Sequence, residues 1–288
     1  MILKSLVFGT GFLGTKIIDC LQQSGHEVTS FSRSYKSNVK SNQHVGDIKD
    51  IQFLRRLLDE EPDLVINTIW ITKPGEYLQS KLNSDFANFS IALAEIVKEY
   101  SISHYISLGS CAEYQLSKGS ITSTAPSISD YVIQKIRAYE HSESILNGSN
   151  TVFSWPRIFF AYGPGQDEAR LFQSLITKAR RSDPITILDT TTRNDWISSF
   201  DIAEAISWIA TNKLSGPIDI GTGIGHTNLQ VWNIIKEELN SNSQLLETTE
   251  KLDKPANGMV ASVNSELFNS GWRPKLSIQE GIRLMIQA

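Results

Sequence analysis

The feature that most restricts what this chain can fold into is a glycine turn near its start, Gly9-Thr10-Gly11-Phe12-Leu13-Gly14. The apolar run from Ile2 to Phe8 precedes it and suits a buried strand. Thr15 to Leu21 follows with helical periodicity, Gly25 ends that helix, and His26 to Ser32 reads as a second strand. Glycine spacing alone fits an ordinary structural turn. Between a strand and a helix it becomes a dinucleotide-binding signal, because bare backbone can approach a pyrophosphate seated on the helix N-terminus.

The second strand ends in Phe31-Ser32-Arg33. An NAD-binding unit usually carries a carboxylate there for the ribose 2′-hydroxyl. Ser32 and Arg33 suit a 2′-phosphate instead, so NADP(H) is favoured and NAD(H) remains possible. Asp47 and Ile48, after Gly46, are candidates to meet the adenine.

Strand and helix signals then alternate. Asp50 to Leu58 is an amphipathic helix and Asp63 to Ile69 a buried strand. Tyr77 to Tyr100 reads as one long helix with an apolar phase of Leu82, Phe86, Phe89, Leu93 and Ile96. His104 to Leu108 is the next strand. This order means a parallel sheet in an α/β fold, with ligands beyond the carboxyl ends of the strands. Ser110 stands at such an end.

A further helix begins at Asp130, capped by Ser129 or Asp130 after Pro126 and a Ser-rich run. Tyr131 and Lys135 are four residues apart and share one helix face. At about 4 Å and an effective dielectric near 20, a phenolate and an ammonium attract by roughly 4 kcal/mol. That is worth about three pKa units, enough to bring the Tyr towards neutrality. The spacing alone carries little, because Tyr77/Lys81 and Tyr114/Lys118 repeat it.

Composition excludes several classes. The 288 residues are 40% hydrophobic and 20% charged, as in a globular protein, with a net charge of -4. The acidic balance and the lack of a basic run argue against nucleic acid as a partner. Only Cys20 and Cys111 are present, which implies no disulfide framework and fits a cytoplasmic protein. No apolar run is long enough to span a bilayer, no secretory leader is expected, and the five histidines show no metal-ligand spacing.

The glycine turn, Gly46-Asp47-Ile48, Ser110 four residues before Tyr114, and Tyr131-x-x-x-Lys135 together resemble the extended short-chain dehydrogenase/reductase family. So do Arg157 to Gly165, Asp195-Trp196-Ile197 with Asp201-Ile202-Ala203, Ile220 to Gly223, and Gly271 to Pro274. The resemblance implies a Rossmann-type doubly wound sheet over residues 1–165 and a smaller substrate-binding lobe over 166–288, with some segments returning to the first domain. It implies a catalytic set of Ser110, Tyr131 and Lys135. It also implies cofactor contacts from Gly9, Gly11, Phe12, Leu13, Gly14, Ser32, Arg33, Asp47, Ile48, Thr68, Ile69, Tyr131, Lys135 and Ile158. Substrate contacts are expected from Trp70, Ala112, Phe160 and Arg193, and the family often forms homodimers.

Three positions depart from the family pattern. The glycine loop is tighter than in many members. Phe160 stands where Asn is usual, and Asn194 stands where an Arg often binds diphosphate, which leaves Arg193 as the candidate for that contact.

The expected activity is NAD(P)-dependent oxidoreduction of a nucleotide-linked sugar. Cys111 and Ala112 stand where 4,6-dehydratases of the family carry acidic residues, which disfavours dehydration. A 4-ketoreductase acting on a nucleotide-4-keto-6-deoxy sugar is the leading expectation, and a 4-epimerase retaining NAD is the alternative. A non-catalytic NADP-binding sensor or scaffold is a third reading, opposed by the intact Ser110/Tyr131/Lys135 set.

Overall fold

The structure is a computed structural model and describes residues 2–117, 128–246 and 258–288. Pro126 with its Ser-rich run, and Lys118 of one decoy pair, lie outside the described residues. Along the chain the first elements are β1 (Lys4–Phe8), α1 (Phe12–Gln23), β2 (Glu27–Ser32), β3 (Asn42–Val45), α2 (Ile51–Leu58) and β4 (Leu64–Asn67). After a 3-10 turn at Tyr77–Gln79 come α3 (Leu82–Glu99), β5 (His104–Ser107) and β6 (Gly109–Ser110). A second 3-10 turn, Cys111–Glu113, leads into α4 (Tyr114–Ser117), α5 (Asp130–Leu146) and β7 (Val152–Ile158).

The later elements are β8 (Phe160–Tyr162), α6 (Leu171–Arg181), β9 (Ile185–Thr186), β10 (Arg193–Ser198), α7 (Ser199–Asn212) and β11 (Gly216–Ile220). They continue with β12 (Gly225–Thr227), α8 (Asn228–Glu238), β13 (Leu245–Leu246), α9 (Glu266–Asn269) and α10 (Ile278–Gln287).

Two compact units result. One comprises residues up to Ile158 together with Ala203–Ile218, and the other comprises Phe159–Ile202 and Asp219–Ala288. The sequence placed the division near residue 165 and expected later segments to return to the first domain.

The main sheet runs β11-β7-β5-β4-β1-β2-β3, with β6 also on β7. Strands β3, β2, β1, β4, β5 and β7 pair parallel in that order. Its core joins Leu6, Phe8, Phe31, Leu54, Phe89, Leu93, Tyr105 and Trp155. This is the parallel α/β sheet the strand–helix alternation implied, and the Rossmann-type fold the resemblance implied.

Two elements differ from the sequence reading. β3 is polar in sequence (Asn42-Gln43-His44-Val45) and carries no strand signal; parallel pairing with β2 makes it a strand. The single helix expected from Tyr77 to Tyr100 is divided. Ser80 is extended (φ -72°, ψ 130°) between the 3-10 turn and α3, and Asn83 Nδ2 donates to the Tyr77 carbonyl at 2.7 Å across the break. Leu82, placed by periodicity on the buried phase, is consequently exposed, while Phe89, Leu93 and Ile96 are buried as expected.

Helix α5 begins where its caps dictate. Ser129 Oγ accepts from the Val132 N–H, and Asp130 in the first turn complements the helix dipole. α5 lies along α3, tied by Arg137 Nη2 to Asn88 Oδ1 at 2.7 Å and Lys98 Nζ to the Ile145 carbonyl at 2.6 Å.

In the second unit, β10 pairs parallel with β8 and antiparallel with β12. Its core gathers Tyr162, Phe172, Ile176, Val231, Trp232 and Ile282. The fully buried Asp195 carboxylate accepts from the N–H groups of Thr222, Gly223 and Ala261, fastening that unit's loops to β10.

Candidate active site

The glycine turn closes between the ends of β1, β2 and β4. Gly9 has φ +104° and donates its N–H to the Phe31 carbonyl at 2.8 Å. A side chain on Gly14 would stand 2.0 Å from the Gly9 carbonyl oxygen. Thr68 Oγ1 locks the turn, donating to the carbonyls of Phe8 at 2.9 Å and Gly9 at 3.3 Å. Gly11 is the N-cap of α1, is exposed, offers no side-chain cap, and has open space around it. The orphan N–H groups of the first turn of α1 thus lie beside the open space at Gly11, which fits a dinucleotide pyrophosphate. Phe12 and Leu13 continue that first turn, half-buried.

The remaining cofactor candidates line the same edge. Ser32 is buried and donates to the Ser34 carbonyl at 2.7 Å, whereas Arg33 is exposed at the end of β2. Asp47 is exposed and accepts from the Lys49 N–H at 2.9 Å, while Ile48 packs half-buried against the first core. The Ile69 N–H is held by Asn67 Oδ1 at 3.0 Å, and Ile158 is buried at the end of β7.

Ser110, Tyr131 and Lys135 all lie in the first unit. Ser110 ends β6, and its Oγ accepts from the Ala112 N–H at 3.2 Å, starting the 3-10 turn in which Ala112 is half-buried. The Tyr131 phenol lies beside the Ser110 side chain. The Tyr131 ring is met edge-on by Tyr77 at 5.1 Å and by Trp70 at 6.2 Å. Lys135 is buried; its Nζ donates to the Leu108 carbonyl at 2.5 Å and lies 3.7 Å from the Trp70 ring centroid.

The electrostatics correct one expectation. Lys135 does not bring Tyr131 towards neutrality here. Burial pushes the phenol above its ordinary value, against the Ser110 side chain that lowers it. Lys135 is the group that moves most usefully: burial pushes it down to about 7, against the Glu113 charge that raises it. Its ammonium is directed to Leu108 and Trp70, so the phenol stays protonated.

The expected substrate contacts divide between the units. Trp70 and Ala112 belong to the first; Trp70 Nε1 donates to Asn83 Oδ1 at 2.9 Å. Phe160 and Arg193 belong to the second. Phe160 packs on Trp196 with ring centroids 5.2 Å apart, and Arg193 is exposed with Nη2 on the Gly225 carbonyl at 2.5 Å.

Sequence reasoning passed over three neighbours of this set. Tyr77 looked like half of a decoy pair, yet it packs on Tyr131. Glu113 and Trp155 are buried beside Ser110 and Lys135. The signal for Glu113 was present: Ser110-Cys111-Ala112-Glu113 has capping-box spacing. Cys111 is buried. Among the described residues no three or more His, Cys, Asp or Glu side chains gather to hold a metal, and no helix is long and apolar enough to cross a membrane.

A parallel sheet with this glycine turn after its first strand, Ser110 at a strand end, and Tyr131 and Lys135 on α5 is a Rossmann-type α/β fold. The chain belongs to the NAD dependent epimerase/dehydratase family, whose model matches residues 6–221.

Among solved structures, it is similar to UDP-glucose 4-epimerase of Thermotoga maritima (20% identity, 99% and 98% of the two chains, TM-score 0.80). It is also similar to UDP-N-acetylglucosamine 4-epimerase of Methanobrevibacter ruminantium (22%, 99% and 97%, TM-score 0.83). Among curated proteins, CDP-abequose synthase of Salmonella typhimurium is 21% identical over 96% of this chain and 95% of that protein. UDP-glucuronic acid decarboxylase 2 of Arabidopsis thaliana is 24% identical over 49% of this chain, a match that spans only 32% of that enzyme.

Proposed function

We propose that this protein is an NADP(H)-dependent oxidoreductase that reduces the 4-keto group of a nucleotide-linked 4-keto-6-deoxy sugar. The observation that carries the reading is the Tyr131 phenol, buried against the Tyr77 and Trp70 rings beside Ser110. A phenol kept protonated is suited to deliver a proton to a carbonyl oxygen as the carbon is reduced. Ser110, beside that phenol, would hold the same oxygen. Gly9, Gly11 and Gly14 would hold the pyrophosphate and Arg33 the 2′-phosphate, with Lys135 serving the ribose. The chemistry such a cofactor supplies is hydride transfer at carbon.

A second reading, a nucleotide-sugar 4-epimerase retaining NAD, is supported by the likeness in fold to 4-epimerases. A homodimer in the cytoplasm through α3 and α5, where Leu82 and Ile133 are exposed, accompanies either reading.

The test is mass spectrometry of the nucleotide that copurifies, followed by an assay of the purified protein with NADPH and a 4-keto-6-deoxy nucleotide sugar. Stoichiometric NADPH oxidation is expected, with Tyr131→Phe slower by about 100-fold or more. Tightly bound NAD with substrate interconversion and no net cofactor turnover would replace the reductase reading by the epimerase one. A Tyr131→Phe protein with full cellular function would favour the sensor or scaffold.

A further inference from the structure

We propose that Glu113 is the positioning residue of the Ser110–Tyr131–Lys135 site. Its carboxylate fixes the Ser110 backbone and supplies the negative charge under which Lys135 works; the inference rests on the oxidoreductase reading above.

The geometry begins with burial. The Glu113 side chain is 2% exposed. A carboxylate so deep is costly unless its lone pairs are filled. Here Oε1 accepts from the Ser110 N–H at 2.7 Å, both oxygens accept from Trp155 Nε1 at 3.0 and 3.1 Å, and Oε2 accepts from Arg157 Nε at 2.9 Å. Arg157 is itself held, with its guanidinium 4.9 Å over the Tyr114 ring and Nη1 on the Tyr114 hydroxyl at 3.4 Å. Glu113 thus joins the strand end that carries Ser110 to β7.

The chain is shaped to admit this carboxylate. A side chain on Gly109 would stand 2.8 Å from Glu113 Oε1 and 2.3 Å from Trp155 Nε1. Trp155 then connects Glu113 to the Lys. Its Nε1 points at the carboxylate, and its ring lies 5.6 Å from Lys135 Nζ.

The groups facing Lys135 are the Leu108 carbonyl, the two indole faces and the Glu113 charge. Those facing Tyr131 are Ser110, Tyr77, Trp70, Cys111 and again Glu113. Arg157 is the cation that partly offsets Glu113, and it is the more exposed partner at 19%. In both cases the Glu113 charge favours the protonated form.

A plain structural staple between β6 and β7 would use the same hydrogen bonds, so the test must read charge. The Lys135 ammonium is followed by heteronuclear NMR of selectively labelled lysine from pH 5 to 10, assigned with Lys135→Met. The wild type, Glu113→Gln and Glu113→Asp are compared, together with the pH profile of NADPH oxidation. Gln keeps the shape and loses the charge. The Lys135 midpoint is expected to fall by about one pH unit, and the alkaline limb of turnover to move the same way.

Asp keeps the charge but is one methylene too short to hold both Ser110 and Arg157. It should leave the Lys135 midpoint in place and lower turnover by roughly tenfold or more. An unmoved Lys135 midpoint in the Gln variant overturns the proposal. So does an Asp variant with full turnover, which also decides the matter if the Gln variant does not fold. Failure of the oxidoreductase reading shows separately, as a wild type without turnover whose Lys135 titration remains readable.

Discussion

Lys135 holds its ammonium 3.7 Å from the centre of the Trp70 ring while donating to the Leu108 carbonyl. A buried lysine without a carboxylate in direct contact is expensive. The indole face and the carbonyl dipole are what it has in place of water. With Lys135 pushed down to about 7, its charge changes near neutrality, while Tyr131 beside it stays protonated.

Trp70→Leu should therefore affect Lys135 before it affects the sheet. A desolvated cation–π contact is worth about 0.5–2 kcal/mol, and the variant also leaves Asn83 Oδ1 without its indole donor. Urea denaturation should show a loss of about 1–3 kcal/mol, and Trp70→Phe should recover part of it. An unchanged midpoint for Trp70→Leu would mean that the indole does not hold the ammonium.

Arg33 is exposed at the end of β2, where no carboxylate stands. Arg33→Ser should raise the KM for NADPH by about 10- to 100-fold, the value of one or two charge-assisted hydrogen bonds to phosphate. The KM for NADH should scarcely change. Steady-state kinetics with both cofactors checks this, and equal effects on the two would remove Arg33 from 2′-phosphate recognition.

Two glycines of one turn should fail in different ways. At Gly11 a side chain meets nothing in the protein within 4 Å, so Gly11→Ala should keep the wild-type melting temperature. It should weaken NADP binding by about tenfold or more, because it obstructs the backbone's approach to pyrophosphate. At Gly14 the added carbon would lie 2.0 Å from a backbone oxygen, so Gly14→Ala should lower stability itself, by about 3 kcal/mol. Calorimetry with and without NADP separates the two outcomes.

His104 gives the fold an acid limit. It is buried, shares a 2.6 Å hydrogen bond with Ser154 Oγ, and burial pushes it down to about 4. In the unfolded chain it titrates near 6.5. The neutral form is thus favoured in the folded state. This stabilising contribution, about 3 kcal/mol, is complete above pH 6.5, declines as the pH falls, and is lost below about pH 4. Unfolding free energies measured from pH 8 to 4 should show this slope, and His104→Gln should flatten it. Equal slopes in both proteins would exclude His104 as the source.

Much of the fold was legible because its signals are local. The apolar run to Phe8, the glycine spacing and the periodicity after Thr15 each restrict the backbone within a few residues. Helix α2, expected from Asp50 to Leu58, is observed at Ile51–Leu58 with Asp50 as its cap, because its apolar stripe has a single period. β3 was not legible: its polar residues become a strand only through pairing with β2. The break at Ser80 was missed for a similar reason, since a side chain from the next turn, Asn83, stabilises it.

The sequence by itself determined an α/β chain with a glycine turn after its first strand, Ser110 at a strand end, and Tyr131 and Lys135 on one face of a helix. Those are consequences of spacing, which fixes side-chain direction once an element forms. Only the tertiary structure decided what surrounds them: Trp70 over the ammonium, Tyr77 against the phenol, and Glu113 bonded to the Ser110 backbone. The protonation state followed from those surroundings. Charge and desolvation depend on neighbours brought from distant parts of the chain, and burial outweighed the attraction that spacing alone suggested between Tyr131 and Lys135.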